Sequence, residues 1–379
     1  MEPMDKLTPL FDPLQRLLIT PLWQSLSGLF DLNGRLGFVF LLISGTVAYL
    51  LYLHRRRQGD PETRSFRHFL GGRAVWLHPS ALLDYQYYLV RALLHVAVIL
   101  PVLTLLHPWL LQTGDVQSAL TRLWGERPRL AEASWLMMLY GLGVFLISDF
   151  VHYWLHRAFH SRWLWEFHKV HHSATVMVPP TASRIHLVEK LCEMLVKGSC
   201  LALYGGIFHW LCGGTVRPYT LFGISYLVLI FNALAANLRH THIWLSFGPR
   251  LEHLLNSPAQ HQIHHSRDPR HFNHNFGTNL SLWDWWFGTL YVTSSQPEPL
   301  SFGVGPRDNE RYSRLSALIL RPFLVTVRKI WRALPRPRKP QAAGGLSKAH
   351  KHNATLRWRC CWRTWLRRFG AGRGSGRRR

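Results

Sequence analysis

His152, His156 and His160 recur every four residues, and on a helix that spacing lines one face. His168, His171 and His172 follow at i, i+3 and i+4 in H-K-V-H-H. The same pattern returns far downstream as His261, His264 and His265 in H-Q-I-H-H. Imidazole is a strong neutral ligand for transition metals. Two helices that each turn three imidazoles to one face enclose metal between them. His186, in R-I-H-L-V-E-K, and His240, in L-R-H-T-H, stand between the two boxes. With His156, His160, His168, His171, His172, His261, His264 and His265 they make ten candidate ligands. One tetrahedral zinc takes about four, so ten suit two ions with some rings left to support the others. Carboxylates are few nearby. Asp149, Glu166, Glu189 and Asp284 are expected to accept ring N–H groups and so orient the ligands.

These residues need elements that hold them. Ser257 followed by Pro258 is a helix start, a capping hydroxyl and then proline at the first helical position, and that helix carries the last box. Apolar runs precede the boxes. Leu36 to Leu53 is uncharged and close to the ~20 residues that span a bilayer. Tyr87 to Leu111 and Trp135 to Ile147 follow, and the last runs directly into the first histidines. Leu195 to Cys212 and Tyr219 to Leu238 are expected to form a helical hairpin around a turn-rich G-G-T-V-R-P. The first run ends in His54-Arg55-Arg56-Arg57, which places that end in the cytoplasm. Threading the five spans then delivers every candidate ligand to the cytoplasmic side.

The net charge of +25 resembles a nucleic-acid signature, but most of the excess follows Arg307, in a tail ending R-G-S-G-R-R-R. No specific nucleic acid is therefore expected as a partner. Arg311 to Leu334 is basic and amphipathic and suits anionic lipid headgroups. The five cysteines, Cys192, Cys200, Cys212, Cys360 and Cys361, form no C-x-x-C, so neither a zinc ribbon nor a redox pair is indicated. No cleavable signal peptide is expected, because Pro9, Pro13 and Pro21 break the first apolar stretch.

The order H-R-A-F-H, H-K-V-H-H, a middle histidine and H-Q-I-H-H resembles the fatty acid hydroxylase/sterol desaturase superfamily. F-N-H-N-F-G at 272–277 and W-D-W-W-F-G-T at 283–289 are similar to that family's stretch after the last box. The likeness runs from about Trp135 to Tyr291. It implies an all-α fold, a multi-pass helical membrane protein whose cytosolic helical cap encloses a dimetal site. The implied cofactors are two iron ions, with O2 as co-substrate. The ligand positions carry over onto the ten histidines, and His152 and His242 have weaker claims as supporting residues. The family often has proline after the middle histidine, whereas His186-Leu187-Val188-Glu189 keeps the histidine and the glutamate without it.

The function so implied is oxidation of a lipid C–H position, by hydroxylation or desaturation. Sterol, fatty-acyl, carotenoid and ether lipids all fit. No nicotinamide, flavin or haem motif is present, so electrons are expected from a separate protein of cytochrome b5, ferredoxin or reductase type. The expected organisation is a membrane-surface segment at 1–34, first transmembrane helices at 35–134, a catalytic domain at 135–295, a basic amphipathic segment at 296–334 and a disordered basic tail at 335–379. The expected location is the bacterial inner membrane or the endoplasmic reticulum. The competing reading is a membrane metal-binding or metal-transport protein, which would string its histidines along the spans as a path.

Overall fold

The computed structural model of the protein describes residue 23 and residues 36–130, 133–221, 224–233 and 236–334. The expected surface segment at 1–34, apart from Trp23, and the tail at 335–379 lie outside the described residues.

Helix α1, Phe38–Arg57, is uncharged until its last turn, where Arg55, Arg56 and Arg57 complement the C-terminal end of the helix dipole. Its buried residues are Phe40, Ser44, Ala48 and Tyr52, a single stripe at i, i+4, while Leu42, Tyr49 and Leu50 face outward. A helix that is apolar all round yet buries one stripe matches a lipid-facing span. Helix α2, Pro79–Leu94, starts on proline with His78 Nδ1 capping the Ser80 N–H. It passes through a π-turn at His95–Ile99 into α3, Leu100–Leu106, where Pro101 interrupts the hydrogen-bond ladder. Helix α4, Thr113–Trp124, closes this long rod. Helices α5, Ser134–Phe159, and α7, Leu187–Leu211, flank the short α6, Trp165–His172.

Four of these segments are long and apolar enough to cross a membrane: Phe38–Arg57, Pro79–Trp124, Ser134–Phe159 and Leu187–Leu211. They match the first four expected runs and make this a multi-pass integral membrane protein. The expected fifth span, Tyr219 to Leu238, is corrected. Thr220–Leu221 (β1) and Ile224–Ser225 (β2) pair antiparallel, and among the described residues of this stretch only Tyr226–Ala233 (α8) is α-helical before a 3-10 turn at Ala236–His240. Eight helical residues reach ~12 Å, far less than the ~30 Å of a hydrocarbon core. A short apolar run with β-branched Thr220 and Ile224 carries no periodicity that separates strand from helix. The chain nevertheless returns along the bundle: Tyr226 donates to the Met138 carbonyl, and Phe231 stacks on Phe145 with ring centroids 4.6 Å apart.

Packing at the end remote from the histidines depends on glycine. A Cβ on Gly206 of α7 would lie 2.4 Å from the Val116 side chain and 2.8 Å from the Thr113 carbonyl of α4. Only a residue without a side chain lets the two helices approach so closely. Nearby, Tyr140 of α5 and Tyr204 of α7 stack at 5.5 Å. At the opposite end lie α9 (Pro258–His264), α10 (Leu282–Trp286), α11 (Pro306–Arg311) and α12 (Leu315–Ala333). Leu83 and Tyr87 of α2, Val170 of α6, Tyr312 at the end of α11 and Leu318 of α12 form one buried cluster there. That cluster fixes α12 against the helix that carries the first H-x-x-H-H. The all-helical membrane fold is thus observed, with a single two-residue strand pair among the described residues.

Candidate metal centre

Four elements bring the histidines together. Helix α5 supplies His156 and ends on His160, and α6 supplies His168, His171 and His172. The 3-10 turn after α8 supplies His240. Helix α9 supplies His261 and His264 and ends on His265. Its start is held by a reciprocal pair, Gln260 N–H to Ser257 Oγ at 3.1 Å and Ser257 N–H to Gln260 Oε1 at 3.0 Å, with Pro258 at the first position.

The ring nitrogens fall into two groups. One atom each from His156, His160, His168, His172 and His264 lie within 4.8 Å of one another, and so do one each from His171, His240, His261 and His265. Helix geometry explains the division. In each H-x-x-H-H the i and i+4 rings stay together, His168 with His172 and His261 with His265. The i+3 ring points about 60° away and joins the other group. His171 therefore crosses to the second group and His264 to the first.

The Nε2 atoms converge. His168 Nε2 lies 3.0 Å from His156 Nε2 and 3.1 Å from His172 Nε2. His261 Nε2 lies 3.0 Å from His240 Nε2 and 3.1 Å from His265 Nε2, and His240 Nε2 lies 3.3 Å from His171 Nε2. Two nitrogens each ~2.1 Å from one ion and at right angles about it would be ~3.0 Å apart. The protons support the same assignment. His156 Nδ1 donates to the Phe276 carbonyl at 2.7 Å, His264 Nδ1 to the His274 carbonyl at 2.8 Å and His168 Nδ1 to Glu189 at 2.8 Å. Neutral rings that donate through Nδ1 carry a lone pair on Nε2, and three such lone pairs face one buried point. His160 Nε2 and His264 Nε2 are buried with no hydrogen-bond partner. A convergence of lone pairs in a buried place repels itself unless a cation sits among them, so the residues fit a metal in each group.

Burial keeps the rings neutral. Burial, and then neighbouring imidazoles, holds His160, His168, His172, His261 and His265 well below the ordinary 6.5. Burial takes His264 down to about 4 although its Nδ1–H faces a carbonyl. Neutral imidazole is the ligating form.

The other expected site residues lie elsewhere. His186 is in neither group. Its Nδ1 caps the Val188 N–H at 3.2 Å and its Nε2 faces the Ile319 carbonyl at 3.0 Å, so both nitrogens serve the junction of α7 and α12. Burial lowers it to about 4. His152 sits one turn before His156, 3.7 Å from Glu193, and His242 bonds the Phe69 carbonyl at 2.9 Å. Of the four carboxylates, Glu189 holds the His168 ring of the first group. Glu166 is held by Lys169 and Lys329. Asp149 accepts from the Asn279 and Leu280 N–H groups and from Trp283 Nε1. Asp284, which burial pushes up to about 6, accepts from the Phe276 and Gly277 N–H groups at 2.8 and 2.7 Å. Asp149 and Asp284 thus fix the loop whose carbonyl holds His156, and act on the first group through backbone. The carbonyls of His274 and Phe276 were not anticipated as ring anchors. Their signal is N-H-N-F: Asn273 and Asn275 adopt φ of 62° and 55°, a left-handed backbone that asparagine tolerates.

A cavity of about 550 Å3 opens on the first group through His160, Trp165, His172 and His264, with Arg162, Lys169 and Arg267 at its mouth. Among the described residues no histidine path runs along the spans; the groups sit at one end of them.

Residues 141–289 match the fatty acid hydroxylase family. Over 160 residues the chain is 31% identical to an alkylglycerol monooxygenase of Xenopus tropicalis, covering 42% of this chain and 31% of that protein. It is 29% identical over 164 residues to an ornithine lipid hydroxylase of Rhizobium tropici, covering 42% and 43%. With a very-long-chain aldehyde decarbonylase of Oryza sativa it shares 30% over 154 residues, covering 39% and 22%. The chain spans less than half the length of each of these relatives. No solved structure gives a significant match.

Proposed function

We propose, for a chain that belongs to the fatty acid hydroxylase/sterol desaturase superfamily through its residues 141–289, that it is a membrane-bound, O2-dependent diiron oxidoreductase acting on a C–H position of a lipid. The observation that carries this is the pair of imidazole groups at the end of the membrane-capable helices. His156, His160, His168, His172 and His264 would hold one iron, and His171, His240, His261 and His265 the other. Two irons so held supply dioxygen activation and the oxidation of an unactivated C–H bond, drawing two electrons from a separate donor protein. The chain supplies position and dryness. Glu189 and the carbonyls of Phe276 and His274 keep the ring protons on Nδ1, so that Nε2 stays free for metal. Nine imidazoles and no carboxylate in the two groups favour a redox metal over a hard cation.

Relatives named for alkylglycerol, ornithine lipid and long-chain aldehyde support a lipid substrate here. The catalytic part is residues 135–295, on the cytoplasmic side of the membrane. That side is supported by the arginines closing α1, where Arg55 donates to the Trp244 carbonyl beside the His-bearing region. Helix α12 exposes Leu320, Leu324, Val327, Ile330 and Trp331 among its arginines, which suits contact with anionic headgroups. Comparative lipidomics of cells with and without the protein tests the reading. A lipid gaining one oxygen or losing two hydrogens only when the protein is present is the expected result. Unchanged lipids in cells with a competent electron donor would sink it.

A further inference from the structure

Helix α12, Leu315–Ala333, divides its surface three ways. At about 100° per residue, Leu318, Pro322 and Lys329 share one sector, and the first two are buried. Leu320, Leu324, Val327, Ile330 and Trp331 share a second, and each is 49–75% exposed. Arg321, Arg328 and Arg332 share a third, and the helix carries no acidic residue to offset them.

The inner sector grips the helix of the first H-x-x-H-H. Leu318 packs with Val170 of α6 and with Leu83 and Tyr87 of α2. The Phe323 ring, at the edge of that sector, lies 5.6 Å from Phe167 of α6 and 5.0 Å from His186. Lys329 Nζ is 2.7 Å from Glu166 Oε1 and donates to the Arg162 carbonyl at 3.3 Å, so it ties down the start of α6. Helix α6 in turn gives His168 and His172 to one histidine group and His171 to the other. A displacement of α6 therefore acts on both groups at once.

The two outer sectors fit one occupant. An exposed apolar row beside a row of arginines matches a helix lying in the plane of a bilayer surface, with side chains in the acyl boundary and cations at the phosphates. Position agrees. Leu318 meets α2 near the start of a membrane-capable segment, and Leu82 and Leu89 of that segment are exposed as well. An apolar protein surface would cover the leucines and leave the arginines without counter-charge, whereas an anionic leaflet supplies both.

We propose that anionic membrane lipid docks α12 and, through α12, holds α6 in place, so that metal retention by the two histidine groups depends on leaflet charge. This rests on the diiron reading for the metal, whereas the docking of α12 stands apart from it. Lys329 is the positioning residue that links the docked face to α6.

The test uses the full chain in nanodiscs of phosphatidylcholine alone, or of phosphatidylcholine and phosphatidylglycerol in equal parts. One readout is backbone hydrogen exchange across residues 320–333, and the other is loss of bound iron to a chelator; neither needs turnover. Exchange should be slower in the anionic discs. Arg328→Gln with Arg332→Gln should remove roughly 30-fold of that protection, about fivefold for each cation at an anionic surface. Iron should be held about tenfold more tightly in the anionic discs. Lys329→Met should keep the exchange difference and shrink the difference in iron retention. Equal exchange in the two discs would overturn the docking, as would protection found only in discs that hold two chains, which would assign the face to a second copy. Slower exchange with equal iron retention would overturn the coupling. Absence of bound iron from both discs would instead count against the diiron reading, with the docking still decided by exchange.

Discussion

Nε2 of His156 and Nε2 of His168 face each other across 3.0 Å in the buried first group. Each ring already donates through Nδ1, His156 to the Phe276 carbonyl and His168 to Glu189. Two aligned lone pairs at that separation are unfavourable in a buried place. The fold tolerates the arrangement because the rings are clamped from behind by two separate elements, the loop holding Phe276 and helix α7, and a cation between them reverses the sign of the interaction.

Elemental analysis of the protein purified with iron should therefore find close to two metal ions per chain. His172→Ala should lower that to about one by opening the first group, and His265→Ala should do the same through the second. Turnover should fall by orders of magnitude in both, while insertion, set by the apolar helices, is kept. His350→Ala and His352→Ala should leave both metal and turnover unchanged. Near-normal product from His172→Ala with a working electron donor would remove that box from the metal site.

Glu189 bonds the His168 ring of the first group at 2.8 Å. Glu189→Ala leaves the His168 Nδ1–H without its acceptor and should weaken metal binding about 10–100-fold. Glu189→Gln keeps an acceptor oxygen and should recover most of the loss. Competition against a chelator of known affinity measures both. Equal metal affinity in wild type and Glu189→Ala would show that the 2.8 Å contact does not tune the site.

Much of the site was legible because helical periodicity is a strong signal. The two H-x-x-H-H boxes and His240 occupy the two groups, and no chance spacing does that. The crossing of His171 and His264 between groups was not legible, since it depends on how α6 and α9 face each other. His186 misled for a related reason: its sequence neighbourhood, R-I-H-L-V-E-K, is followed by a helix that uses the imidazole as its cap. Its carboxylate three residues on, Glu189, reaches the site instead. The return of the chain through β1, β2 and α8 escaped because hydropathy reports burial or lipid exposure and not conformation.

Acid should destabilise the metal-free protein over a defined window. His160, His168, His172, His261, His264 and His265 are all held below their ordinary 6.5, His264 at about 4. Below pH 6.5 the unfolded chain binds protons that the folded chain refuses. The stability these neutral rings contribute is thus full above about pH 6.5 and is lost as the pH falls toward 4. Thermal unfolding of the chelated protein in detergent should give midpoints that are level above pH 7 and drop steadily from 6.5 to 4.5. A midpoint that rises on acidification would mean that the rings are protonated in the folded state.

A buried ion pair holds the end of the first H-x-x-H-H helix in place. Arg184 Nε meets Asp84 Oδ1 at 2.5 Å, with both side chains almost wholly buried. The same guanidinium donates to the Ser80 carbonyl at 2.9 Å and to Ser173 Oγ at 3.2 Å, and Thr181 donates to Asp84 at 2.6 Å. One cation therefore joins the start of α2, the residue directly after His172 and the turn leading into α7. Removing it strands a buried carboxylate. Arg184→Met should cost ~3–5 kcal/mol, or roughly 5 °C in apparent melting midpoint for a chain of this size. Asp84→Leu with Arg184→Met removes both charges and should recover much of that loss, because the penalty comes from the unpaired ion more than from the missing bond. Metal content should track stability in the single variant, since Ser173 follows directly on two ligands. If the double variant were no more stable than Arg184→Met alone, the hydrogen bonds to Ser80 and Ser173, and not the charge of Asp84, would be what secures this junction.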